Sequence, residues 1–124
     1  MESSMHYSIF HNPKCSKSRE TLKLLNEKGI QPEIILYLAD PPTEKELTTI
    51  LKKLGLEAKE LIRFKEKIAE ELGITPSDTR PEEEWVRLMV KNPVLIERPI
   101  VITPQRAVIG RPPEKVLELI GSKK

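Results

Sequence analysis

The residues that invite chemistry lie close to the amino terminus, in FHNPKCSKSR, residues 10–19. Cys15 is the only cysteine among 124 residues, and His11, Lys14, Ser16, Lys17, Ser18 and Arg19 surround it. A cysteine reacts as its thiolate, whereas an unperturbed thiol is mostly protonated near neutral pH. Several features of this stretch favour the anion. Cys15 falls just before a predicted helix, whose open N–H groups and dipole attract negative charge. Lys14, Lys17 and Arg19 add positive charge, and His11 ends the preceding apolar run, so a turn would carry its imidazole toward the sulfur. Ser16 and Ser18 offer hydroxyl donors to a thiolate or to a bound oxyanion. A lone cysteine is often an inert apolar side chain, but inert ones sit within apolar runs, and this one is flanked by lysine and serine.

Three residues after Cys15, where a dithiol motif places its second cysteine, stands Ser18. The second thiol of such a pair resolves the mixed disulfide. Its absence implies a monothiol mechanism in which an outside thiol, such as glutathione or a redox protein, does the resolving, or else no redox turnover. Two arginines near the other end precede prolines, Arg98-Pro99 and Arg111-Pro112, and the residue before a proline is held toward extended geometry. A third, Arg63, lies in a helical region. Guanidinium forks suit a tetrahedral or planar oxyanion. Pro99 is also a candidate cis residue.

The elements that must position these groups follow from the apolar pattern. YSIFH (7–11) reads as a buried strand ended by Asn12-Pro13. Ser18, Leu22 and Leu25 fall at helical spacing up to Gly29, and EIILYL (33–38) reads as a second strand. Strand, helix and strand in about thirty residues predict a parallel βαβ unit with a right-handed crossover. Thr43 and Glu46 carry a capping-box signature, followed by Leu47, Ile50, Leu51 and Leu54 on one face and a stop at Gly55. Residues 57–74 read as one or two short helices ending near Gly73. Pro81 and three glutamates open another helix, with Trp85, Leu88 and Met89 as its inner face. PIVIT (99–103) and AVIG (107–110) predict a hairpin, and PPEKVLELIG a closing helix. The expected fold is therefore α/β and thioredoxin-like, β-α-β then β-β-α on a mixed four-stranded sheet. It would form a single domain over residues 1–124, with a helical insertion at about 43–92 and a loose tail at 1–5.

Composition narrows the function classes. Charged residues are 32% and hydrophobic ones 38%, enough for one modest core. Aromatics are 4%, which argues against stacking on nucleic-acid bases, and the net charge of +2 does not by itself argue for a nucleic-acid or membrane partner, so neither is expected. The single cysteine points to a reducing compartment, the cytoplasm, and neither a membrane span nor a signal peptide is expected. The sequence suggests no metal ligand set.

Read together, YSIFHNPKCSKSRETLKLL, YLADPPTEKEL and NPVLIERPIVIT…VIGRPPEKVLEL resemble the glutaredoxin-linked arsenate reductases of bacteria. The resemblance covers about residues 7–120 and is nearest to the shorter, chromosomally encoded branch. It implies a thioredoxin-like fold with a helical insertion and a cis proline at Pro99. It implies that Cys15 attacks arsenate, that His11 helps to keep the thiol ionised, and that Arg63, Arg98 and Arg111 hold the oxyanion. Glutathione would then attack as co-substrate and glutaredoxin would complete the reduction, with no tightly bound cofactor. Lys14 and the pair Ser16-Lys17 depart from the smaller, less basic residues of the best-known resistance enzymes. Two other functions suit the same residues: a glutathione-linked thiol transferase, and a non-catalytic Spx-like regulator that binds RNA polymerase, although Ser18 removes the dithiol switch of the latter.

Overall fold

A short, largely buried apolar run makes one of the two inner strands of the sheet. In a computed structural model of the chain, which describes residues 6–121, strand β1 is Ser8–Phe10. The tail at residues 1–5 lies outside the described residues. Helix α1 (Ser16–Glu27) and strand β2 (Glu33–Ile35) follow. Next come α2 (Glu44–Leu54), a 3₁₀ turn at Ala58–Leu61, α3 (Lys67–Leu72), α4 (Glu82–Lys91) and a 3₁₀ turn at Pro93–Leu95. Strands β3 (Ile100–Ile102) and β4 (Ala107–Ile109), a 3₁₀ turn at Pro113–Val116 and α5 (Leu117–Gly121) complete the chain.

The chain divides into two compact units, residues 1–37 with 98–124, and residues 38–97. The first holds a mixed four-stranded sheet of order β2-β1-β3-β4. β1 runs parallel to β2 and antiparallel to β3, and β3 is antiparallel to β4. The fold class matches the expectation, a thioredoxin-like α/β arrangement. Its core gathers Tyr7, Ile9, Leu25, Val101, Val116 and Leu119. Each large apolar side chain buried there contributes about 1.5–3 kcal/mol.

Register decides where the chemistry can be. Phe10 pairs with Ile100, and Ile100 pairs with Ile109. The segment after β1, the segment before β3 and the segment after β4 therefore leave the sheet at one end. The Arg98–Pro99 peptide is cis, and so is Arg111–Pro112.

The second strand is shorter than expected. The apolar run EIILYL predicts a strand to residue 38, but β2 stops at Ile35. Its partner β1 gives way to the Asn12-Pro13 turn, and the bond from His11 N–H to Ile35 O, at 2.9 Å, is the last rung. Tyr37 then turns inward and stacks on Phe10, with ring centroids 5.6 Å apart.

The second unit is helical. Thr43 caps α2 with the expected reciprocal box: Glu46 N–H donates to Thr43 Oγ1 and Thr43 N–H donates to the Glu46 carboxylate, both at 3.0 Å. Gly55 and Gly73 end α2 and α3 in left-handed conformation, which a side chain would strain. On α4 Trp85 and Met89 are buried as their spacing predicts, Val86 joins them, and Leu88 is only half-buried at the edge of the face. The first of its glutamates is more than a solvated charge, because Glu82 accepts the N–H of Ala58 at 2.8 Å.

Candidate active site

The turn that carries Cys15 is fastened at nearly every polar atom. Asn12 O accepts the N–H of Cys15 at 2.9 Å, and Asn12 Oδ1 accepts that of Lys14 at 3.0 Å. Asn12 N–H donates to Ser18 Oγ at 3.0 Å, and Arg19 Nη1 donates to Pro13 O at 2.8 Å. The sequence signal for this was the Asn-Pro pair, since asparagine side chains close such turns. Asn12 was not among the expected site residues.

Cys15 is the N-cap of α1 and is buried. Its side chain makes no capping hydrogen bond. Burial opposes ionisation, but the backbone N–H of Ser18, the charge and hydrogen bond of Arg98, and the backbone N–H of Lys17 outweigh it. The thiol is thereby held below its ordinary pKa. Arg111 Nη2 reaches Cys15 Sγ at 3.6 Å, and Arg111 Nε donates to the carbonyl of Arg98 at 2.8 Å. Cys15, Arg98 and Arg111 thus meet at one end of the sheet, and the two arginines are locked to each other.

The remaining expected residues fall in different places. His11 is buried beside Ser18, with Nδ1 2.6 Å from Ser18 Oγ. Burial, and then the charge of Arg19, hold the imidazole below its ordinary pKa. Ser18 is fully buried, and its hydroxyl is engaged by His11 and Asn12. What Ser18 presents to the sulfur is its backbone N–H. Ser16 is exposed, as is Lys14, and Lys17 is half-buried. Arg63 belongs to the second unit, where Nε binds Glu66 at 2.9 Å and Nη1 binds Glu97 at 2.7 Å.

One close contact supports this arrangement from behind. Thr21 of α1 is buried against Gly110, the residue before Arg111, and its Oγ1 donates to Gly110 O at 3.4 Å. Leu22 packs against the core as its spacing predicts, and Thr21 is an inward residue that the spacing does not point to. Among the described residues no cluster of three His, Cys, Asp or Glu could hold a metal, and no helix is long and apolar enough to cross a membrane.

A thioredoxin-like sheet with one thiol at the start of its first helix and a cis proline opening its third strand defines a class of thiol-bearing α/β proteins. Residues 10–119 match the model of the ArsC family, and the chain belongs to that family. It is 52% identical over 114 residues to YfgD of Escherichia coli (strain K12), a protein described as uncharacterized, covering 91% of this chain and 95% of that one. It is 46% identical over 117 residues to an arsenate reductase of Haemophilus influenzae, covering 94% and 100%. The structure of an arsenate reductase from Vibrio cholerae matches with a TM-score of 0.88 at 44% identity, over 94% of this chain and 98% of that one.

Proposed function

We propose that the chain is an arsenate reductase, an oxidoreductase in which Cys15 is the nucleophile. The observation that carries this reading is the meeting of a depressed-pKa thiol with two arginines at one end of the sheet. Arsenate is a tetrahedral oxyanion, and two guanidinium groups beside the thiolate suit its charge and its geometry. Attack by Cys15 Sγ on arsenic expels water and leaves an arsenic–sulfur ester. Glutathione condenses on the arsenic as the second thiol. The glutaredoxin thiolate then attacks the glutathione sulfur and forms a mixed disulfide with it. The sulfur–arsenic bond breaks with its electron pair left on arsenic, and water hydrolyses the bond to Cys15, releasing arsenite and the free thiol. The lack of a second cysteine in the chain supports this need for outside thiols.

In this reading Arg98 and Arg111 hold the oxyanion, and Arg63 is the third arginine that the family resemblance assigns. His11, Ser16 and Ser18 complete the candidate set, with Ser18 acting through its backbone. The enzyme works in the cytoplasm with no tightly bound cofactor and with neither nucleic acid nor membrane as partner. The thioredoxin-like part and the helical insertion act as one functional domain.

The test is arsenite formation with glutathione and glutaredoxin, for the wild type and for Cys15→Ser and Arg98→Met. Turnover by the wild type, its loss in Cys15→Ser and its sharp reduction in Arg98→Met are expected. Equal rates in wild type and Cys15→Ser would sink the reading. Activity on a glutathione mixed disulfide with none on arsenate would make the protein a thiol transferase instead.

A further inference from the structure

A continuous apolar run is the pattern of a strand covered on both faces, and β2 with the residues after it carries such a run. Part of it is nevertheless open. Among the described residues five large apolar side chains are exposed, and three fall within residues 34–38: Ile34 at 49%, Leu36 at 47% and Leu38 at 43%. Ile34 and Leu36 belong to the first unit. Ile34 is paired with Ile9, a core residue, so it points to the face of the sheet that carries the core. α1 packs chiefly on the 3₁₀ turn at Pro113–Val116 and leaves Ile34, on the edge strand, half bare. Scattered exposed leucines need no explanation, but apolar side chains gathered on one sheet edge mark a contact site.

The thiol turn lies beside this edge. The last rung joins His11 N–H to Ile35 O, so Leu36 stands one strand spacing, about 5 Å, from the start of that turn. The turn presents cations. Lys14 is exposed, Lys17 is half-buried, and neither ammonium has an ion-pair partner among the described residues. The first turn of α1 holds no acidic residue, and the one acid of β2, Glu33, has His6 at 3.1 Å. We infer that Ile34 and Leu36, with Lys14 and Lys17, form the docking surface for the protein that brings the resolving thiol, a redox partner whose own thiol is bordered by a small apolar contact and by carboxylates. Unpaired lysines are complementary to carboxylates, which steer encounter more than they hold the complex. Cations alone would suit a small anionic thiol, and the aliphatic pair one strand away extends the contact to a second protein. Two half-exposed aliphatic side chains fall well short of the about 800 Å² per partner of a stable interface and suit a brief redox encounter.

The inference rests on the reading of Cys15 as a nucleophile resolved from outside, and not on arsenate as its substrate. Oxidised glutathione converts Cys15 to its mixed disulfide with glutathione, releasing one glutathione as thiol. A bacterial glutaredoxin with carboxylates bordering its thiol is then added. Its thiolate attacks the glutathione sulfur, Cys15 leaves as thiolate, and the new disulfide joins glutathione to glutaredoxin. 2-Mercaptoethanol, small and neutral, reports the reactivity of the same disulfide without docking. In Leu36→Gln the glutaredoxin rate constant should fall roughly three- to tenfold, the share of a half-exposed leucine, with that of 2-mercaptoethanol unchanged. In Lys14→Gln with Lys17→Gln the ratio of the two rate constants should fall about tenfold at low salt, and added salt should slow glutaredoxin less than it does in the wild type. Leu72→Gln, which alters an exposed leucine of α3, should match the wild type. An unchanged ratio in either of the first two proteins, or an equal loss in Leu72→Gln, would overturn the inference. A wild-type dimer in sedimentation that Leu36→Gln dissolves would give the surface to a second copy of the chain and overturn it too. The assay holds no arsenic, so failure here leaves the proposed reaction standing, and inactivity toward arsenate leaves the docking surface standing.

Discussion

Gly110→Ala is the substitution that most directly connects packing to the thiol. Gly110 is not among the glycines with positive φ, so its lack of a side chain serves space and not backbone freedom. A Cβ there would stand 2.6 Å from Thr21 Oγ1, 3.0 Å from Pro99 Cγ and 3.1 Å from Thr21 Cγ2. Rotating Thr21 gives little relief, because both branches of its side chain crowd the same point. Overpacking a buried site costs about 1–3 kcal/mol, and with both branches in conflict we take about 2 kcal/mol. Thr21→Ala removes the two Thr21 contacts and alone loses one long hydrogen bond, worth about 0.5–1.5 kcal/mol at most. In the Thr21→Ala background, Pro99 Cγ at 3.0 Å is the one of those three contacts that remains, and alanine at 110 should cost less than about 1 kcal/mol. The cycle therefore predicts a coupling of about 1 kcal/mol or more, outside the scatter of roughly 0.3–0.5 kcal/mol for independent sites. Urea unfolding of the four proteins measures it, with an unchanged m-value as the check on two-state behaviour. Because Gly110 precedes Arg111, alkylation of Cys15 should slow in Gly110→Ala and recover in the double variant. Additive costs, or a Gly110→Ala protein as stable as the wild type, would refute the reasoning.

Three further outcomes are expected. Thr43→Ala should cost about 1 kcal/mol of stability, and Glu46→Ala should add little once Thr43 is gone, because the two bonds of the box are reciprocal. Arg98→Met should move the pH inflection of Cys15 alkylation upward, toward the ordinary thiol value of about 8.5. The same shift has a sign in stability. The folded thiol holds its proton less tightly than the unfolded one, so the unfolded chain binds more protons between the two pKa values. The stability of the wild type relative to Cys15→Ser should rise with pH across that window, and the advantage should vanish as pH falls through the folded value. Denaturant titrations of both proteins across that window check this, and a flat difference would count against it.

Much of this architecture could be read from the chain because its signals are local. Thr43 with Glu46, Gly55 and Gly73 act through bonds and dihedrals a few residues long, and each lies where the pattern put it. The hairpin of β3 and β4 came from two β-branched runs and a short link. What the chain did not show depends on partners far away. β2 ends early because β1 runs out beside it, and nothing in EIILYL says so. Thr21 is inward because Gly110 leaves it room. The Arg-Pro pairs mark two guanidinium groups suited to an oxyanion, but the bond from Arg111 to the Arg98 carbonyl depends on sheet register. The Ser18 hydroxyl, close to a thiol in sequence, suggests a donor to the anion. Its neighbours Asn12 and His11 had already claimed it.

The thiol and the arginine that touches it are 96 residues apart in the chain. Synthesis runs from the amino terminus, so Cys15 emerges long before Arg98 and Arg111 exist. Until β3 and β4 join β1, the sulfur has only the helix start to favour its anion and lacks the guanidinium groups. A nascent or partly unfolded chain thus carries a thiol closer to ordinary reactivity, less prone to stray oxidation or conjugation. Sheet closure acts as a safety catch on the nucleophile: full reactivity appears only in a molecule whose register is correct.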